Sequence, residues 1–158
     1  YELIRGIPQD QYVSRGYGAT ANLAVPRQIF QALGGFDPNR LSGGDADFCR
    51  RASSMGLAEV RYVAGAVVEH PARTSWGAIA RKARRLKGGQ VSAGTVPRRL
   101  MWVGRTMLPP FRAICRFLRA TKYSLADRIA ACAIQLGLWL VEIVETIRLL
   151  AGGAPERR

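Results

Sequence analysis

Thirteen consecutive positions near the C-terminus, Ile129–Val141, are apolar but for Gln135, and such a run leaves a chain few choices. It has to lie against protein or against lipid, because water has no use for it. Ser124-Leu125-Ala126-Asp127, just upstream, has the spacing of a capping box and predicts the start of a helix. A membrane span takes roughly 20 apolar residues. With Glu142 and Glu145 directly after the run, the sequence predicts an interfacial or packed helix ahead of a span.

The residues before that helix are basic. From Pro71 to Ala126 the chain carries thirteen bases and no acid, whereas 1–70 and 127–158 are each neutral. The whole net charge of +13 therefore sits in one central stretch, which predicts an anionic partner such as a nucleotide phosphate, an anionic lipid or a nucleic acid. Within 97–123 the bases alternate with large apolar residues, among them Leu100, Met101, Trp102, Phe111, Phe117 and Leu118. Pro109-Pro110 should divide this part into two short helices. Trp76, Ile79, Ala80, Ala83 and Leu86 fall at helical spacing, and Gly88-Gly89 is expected to close that helix. Cys49, Cys115 and Cys132 fit neither a disulfide framework nor a zinc site, which points to a reducing compartment. The chain starts at Tyr1, so further residues upstream are expected.

The first half reads as α/β material. Residues 19–25, Val60–Val63 and Ala66–Glu69 have strand composition, and helices are expected from Pro26 to Leu33 and from Asp45 to Met55. Asp45 and Asp47 stand at the start of the second helix, after Gly43-Gly44. Two carboxylates there are favoured by the helix dipole. The same position also suits a general base, and a D-x-D pair suits a hard cation.

Four segments in order carry a resemblance: Ala21-Asn22-Leu23-Ala24-Val25, Gly34-Gly35-Phe36-Asp37, Gly43-Gly44-Asp45-Ala46-Asp47-Phe48-Cys49-Arg50-Arg51 and Val67-Val68-Glu69-His70-Pro71. Together they resemble the C-terminal half of family 2 glycosyltransferases, inverting enzymes of the GT-A fold. The resemblance implies an α/β, Rossmann-like partial domain over 1–92 and a helical, basic and apolar tail over 93–158. It implies Asp45 as the base that deprotonates the acceptor hydroxyl, with Asp47 as second choice. The usual motif has Glu-Asp where this chain has Gly44-Asp45, and a Q-x-x-R-W motif is missing. His70, the only histidine, is placed like a metal-holding residue of GT-A enzymes, although a lone histidine is also an ordinary structural residue. A divalent metal, Mg or Mn, would then be shared with an absent N-terminal half. Arg81, Arg84 and Arg85 would meet the leaving nucleoside diphosphate, or else form a solvated basic face.

The expected function is accordingly sugar transfer from a nucleotide-sugar donor to an acceptor hydroxyl, on a lipid-linked or glycan acceptor of the cell envelope. This chain alone is expected to be inactive. Its expected place is the cytoplasmic side of the plasma membrane, peripheral or anchored by the C-terminal helices. The alternative is a non-catalytic basic module that binds an anionic membrane surface or nucleic acid. Nucleic acid is the weaker partner, because none of the usual binding modules has its motif here.

Overall fold

The computed structural model describes residues 1–92 and 94–156. These form α1 (Glu2–Arg5), α2 (Gln9–Val13), a 3-10 turn (Thr20–Asn22), α3 (Arg27–Ala32), α4 (Gly44–Ser54), α5 (Trp76–Val91), α6 (Val96–Met107), α7 (Phe111–Leu118) and α8 (Leu125–Leu150). No strand occurs among the described residues, so the fold is all-α and the α/β expectation is corrected. With no sheet, the chain is not a Rossmann-like, GT-A-type fragment either.

The cause is visible in each expected strand. Residues 19–25 hold the 3-10 turn, and the Gln9 side chain serves their backbone: its Oε1 accepts from the Ala19 N–H, and its Nε2 donates to the Ala19 and Asn22 carbonyls. Around Ala64-Gly65 the expected turn forms, with the Ala66 N–H donating to the Val63 carbonyl at 3.1 Å. Its two arms exchange no ladder bonds beyond that turn among the described residues. A strand-like composition needs a neighbouring strand, and an isolated hairpin is marginal at best.

The chain divides into two compact units, Ile7–Pro71 and Tyr1–Gly6 with Ala72–Arg158. In the first, α4 buries Phe48, Cys49 and Ala52. Phe30, Phe36 and Phe48 gather beside it, with ring centroids 5.1–5.7 Å apart. Gly35 makes that cluster possible. Its φ is 75°, and an added Cβ would meet the Phe30 ring at 3.0 Å.

In the second unit α8 is the spine, and α5, α6 and α7 each pack on it. Ile79, Ala80 and Ala83 of α5 meet Leu138, with Tyr1, Ile134 and Val141 at the edge. The Ser75 and Ser124 hydroxyls cap α5 and α8, accepting from the N–H groups of Ala78 and Asp127. The break at Pro109-Pro110 falls where expected. Gly88-Gly89, however, does not end α5. Both glycines are buried, and an added Cβ on Gly88 would lie 2.9 Å from Pro155 Cβ, so Gly88 is there for close approach.

The N-terminal turn of this unit is tied down by charge. Glu2 bridges Arg73 at 3.0 Å and Lys82 at 3.1 Å. Burial opposes its charged form, but Lys82 and Arg73 outweigh that and hold the carboxyl below its ordinary 4.5. For Lys82 burial wins instead, since Arg5 and Arg73 stand near and Glu2 offsets them only in part; its ammonium titrates below 10.5. A carboxyl lowered in the folded state contributes stability above its unfolded value and loses it as pH falls through the folded one. The melting temperature should therefore drop on acidification below 4.5, and Glu2→Gln should flatten that drop. Identical pH profiles for the two proteins would contradict the bridge.

Candidate functional site

Asp45 and Asp47 both open α4, but they do different work. The Asp47 carboxylate, only 17% exposed, is held by Arg40 and by Arg51 at 3.0 Å. Arg51 also donates to the carbonyls of Leu33 and Gly35, both at 2.7 Å, so Asp47 anchors the guanidinium that ties the α3 end to α4. Asp45 accepts from the N–H groups of Ala46 at 2.8 Å and Thr20 at 3.3 Å, and makes no ion pair among the described residues. Asp47→Asn should cost about 1.5–3 kcal/mol, the range for hydrogen bonds to charged groups. Asp45→Asn should cost less than about 1 kcal/mol, a helix-dipole contribution. Urea midpoints of the two variants check that order, and equal shifts would overturn it.

His70 is exposed, its Nδ1 3.0 Å from the Pro71 carbonyl. No group of three His, Cys, Asp or Glu side chains that could hold a metal occurs among the described residues. Arg81, Arg84 and Arg85 share one side of α5, and Arg84 is bound to Glu156 at 2.8 Å. The two carboxylates and His70 belong to the unit Ile7–Pro71, the three arginines to the other. The cavity in the unit Ile7–Pro71, about 240 Å³, is walled by groups such as Val25, Ile29, Phe48 and Val60; Asp45, Asp47 and His70 do not line it.

The sequence reading missed a buried polar network. Lys87 is almost wholly buried and its ammonium meets Glu142 at 3.1 Å, the Thr106 hydroxyl at 2.8 Å and the Gln90 amide oxygen at 2.9 Å. The Trp139 indole donates to the Thr106 carbonyl at 2.8 Å, so α5, α6 and α8 are joined at one point. A signal was there: Lys87 continues the i, i+4 line of Ile79 and Ala83, so a cation stands in an apolar stripe and needs an acid.

The outward face of α8 is apolar, and the polar residues Gln135, Glu142, Glu145 and Thr146 turn inward. Ala131, Leu138 and Glu145 line the buried side, with Glu145 neutralised by Arg148 at 2.6 Å. On the opposite side run Ile129, Ala133, Leu136, Leu140, Val144 and Ile147, all exposed. Between Asp127 and Arg148, every exposed residue of α8 is apolar. The helix has 26 residues, about 39 Å at 1.5 Å per residue, and is long and apolar enough to cross a membrane. The run read from sequence was shorter because Glu142, Glu145 and Arg148 interrupt it; in the helix these three are taken up by ion pairs.

The bases of 97–123 form the other unusual surface. Arg98, Arg99, Arg105, Arg112, Arg116, Arg119 and Lys122 are all exposed, and none has a carboxylate partner among the described residues. Upstream, by contrast, Arg73, Lys82, Arg84 and Lys87 are all ion-paired. The unpaired cations are interleaved with exposed Val96, Leu100, Met101, Met107, Phe111 and Leu118.

No family model matches this chain, and neither a curated protein nor a solved structure matches it. The resemblance to family 2 glycosyltransferases is thus corrected on two grounds, the helical fold and the lack of a matching family.

Proposed function

We propose that the chain is a non-catalytic module that docks on an anionic membrane surface through the unit containing α5–α8. The observation that carries this reading is the outward face of α8, apolar without interruption from Ile129 to Ile147. A helix at a water-facing surface is polar on its outer side, and one that is apolar all round belongs in a core or in lipid. Moving its half-exposed Leu, Ile and Val side chains out of water contributes on the order of 1 kcal/mol each. The unpaired cations of α6 and α7 choose the lipid, since each contributes about 1 kcal/mol near an anionic leaflet. Lying on the surface suits α8 better than crossing, because α5, α6 and α7 occupy its other side. Three free cysteines suit the reducing, cytoplasmic face.

Vesicle flotation of the whole chain tests this. Binding to phosphatidylcholine vesicles containing phosphatidylserine, weaker with added salt and absent with phosphatidylcholine alone, is the expected result. Equal binding to both vesicles, or to neither, would contradict it. Preference for a single-stranded oligonucleotide over the anionic vesicle would favour nucleic acid instead.

A second reading, transfer of a sugar from a nucleotide-sugar donor to an acceptor hydroxyl, is favoured by one observation. Asp45 makes no ion pair among the described residues, whereas Asp47 is bound by two arginines. Incubation with nucleotide-sugar donors tests it: transfer lost in Asp45→Asn, by about 10²–10⁴-fold, supports the base. Transfer that persists in Asp45→Asn would remove the base assignment.

A further inference from the structure

The outward residues of α8 repeat every seven positions. Ile129, Leu136, Ile143 and Leu150 form one series, and Ala126, Ala133, Leu140 and Ile147 form a second, so the steps alternate between three and four. All are exposed except Ile143, which is half-buried. Such a strict repeat, kept along all 26 residues of the helix, is the pattern of a coiled-coil seam. A stripe that faces a globular core is broader and follows the period of 3.6 instead. Within the chain no helix meets this seam, since α5, α6 and α7 pack on the other side of α8. Seven large apolar side chains of α8 are each more than two-fifths exposed. Together they present roughly 700–800 Å² a copy, which is one partner's share of an interface of standard size.

The sizes along the seam choose a direction. In a parallel pair each residue meets its own counterpart, so Ala126 and Ala133 would face alanines and leave gaps. In an antiparallel pair centred at the level of Leu138, Leu140 meets Leu136 of the second copy and Ile147 meets Ile129. Ala133 then meets Ile143 and Ala126 meets Leu150, so every alanine has a large neighbour. Charge agrees. The α7 helix lies against the N-terminal half of α8, where Arg128 donates to the Leu118 carbonyl at 2.7 Å and the Cys132 thiol approaches that of Ile114 at 3.9 Å. A parallel pair would bring the unpaired cations of two α7 helices together, whereas an antiparallel pair sets them at opposite ends.

We infer that in solution the outward face of α8 is covered by the same face of a second copy, antiparallel about a two-fold axis at the level of Leu138, and that docking exchanges this copy for lipid. The exchange rests on the membrane-docking reading, and the pair stands without it. The positions that flank the seam, Ala130, Gly137, Val144, Cys132, Trp139 and Thr146, carry no charge to reinforce it. Half of its layers also contain an alanine, which places the pair at the micromolar end of the range for such an area. At lower concentration the face is free for vesicles.

Sedimentation of the whole chain at about 100 µM should give twice the monomer mass, and at about 0.1 µM the monomer mass. Leu140→Glu sets two carboxylates close to each other across the axis and should be monomeric at both, with unchanged circular dichroism. Direction is read by cross-linking in chains whose Cys115 and Cys132 are replaced by serine, Cys49 being buried. Oxidation of an equal mixture of Ile129→Cys and Ile147→Cys chains with copper phenanthroline should give the mixed disulfide dimer. Ile129→Cys alone should give none, because its two thiols would stand about 27 Å apart. Phosphatidylserine-containing vesicles, added before the oxidant, should abolish the mixed dimer. Monomer mass at 100 µM overturns the pair, and leaves docking intact if that monomer floats with the vesicles. A folded Leu140→Glu chain that stays dimeric overturns the choice of face, and self-cross-linking of Ile129→Cys overturns the antiparallel order. Undiminished cross-linking on floated vesicles overturns the exchange. A dimer that binds no vesicle upholds the pair and removes the docking reading.

Discussion

Glu142→Ala should lower the stability of the helical unit by about 3 kcal/mol or more, because it leaves the buried Lys87 ammonium without its counter-charge. Lys87 is 5% exposed, while the Glu142 side chain is one-third exposed at 33%. Water can therefore reach the acid but hardly the base, which places the expected loss at the lower end of the usual range. The Thr106 hydroxyl and the Gln90 amide oxygen stay bonded to the ammonium but carry no charge. A loss of that size corresponds to a fall in melting temperature of about 12–24 °C for a unit of this length. Lys87→Met combined with Glu142→Leu should recover most of it, since an apolar pair of similar volume needs no partner. A melting temperature for Glu142→Ala within about 2 °C of wild type would contradict the role given to the pair.

Leu140→Glu with Val144→Glu should have the second large effect, on vesicle affinity and not on folding. Both side chains are exposed, at 56% and 65%, so the substitutions cost little in water. On an anionic bilayer they remove two apolar groups from the contact and add two like charges. Together this should weaken binding by about 3–4 kcal/mol, more than a hundredfold. Circular dichroism should be unchanged. Loss of helix content would mean that this face is buried in the folded chain, and unchanged affinity would mean that another face meets the lipid.

What could be read from the residues depended on how local the signal was. The Ser124 cap, the Pro109-Pro110 break and the opening of α4 after Gly43 are decided within one turn of chain, and they were legible. Val60–Val63 and Ala66–Glu69 have strand composition, but a ladder is a property of two segments. The chain offers these arms a turn bond and the Asn22 amide, which donates to the Ala66 carbonyl at 2.7 Å. Gly88-Gly89 has the composition of a helix stop, yet Gly88 serves the approach of Pro155, far along the chain beyond α8. Long-range contacts of this kind leave no periodicity to read.

The candidate site divides in the same way. Asp45 and Asp47 look alike in sequence, and only the arrival of Arg40 and Arg51 separates the ion-paired anchor from a carboxylate held by backbone N–H groups alone. The apolar run of α8 was evident, but its packed side is the one that carries Gln135, Glu142 and Glu145, the reverse of the usual polar-outward rule. The seven bases of 97–123 were evident too. Of the acids of α8, Glu142 pairs with Lys87, Glu145 with Arg148, and Asp127 accepts from the Ser124 hydroxyl, so none meets these seven.

The most direct test of membrane docking is an environment-sensitive fluorophore on α8. Leu140→Cys, in a chain with Cys115 and Cys132 replaced by serine, places one accessible thiol on the outward face, Cys49 being buried. The labelled protein is titrated with phosphatidylserine-containing vesicles carrying a quencher in their acyl chains. A blue shift with acyl-chain quenching, reversed by salt, is expected if this face enters the lipid boundary. Emission that stays at the aqueous wavelength while the protein co-floats with the vesicles would show that the face remains in water, and would contradict it.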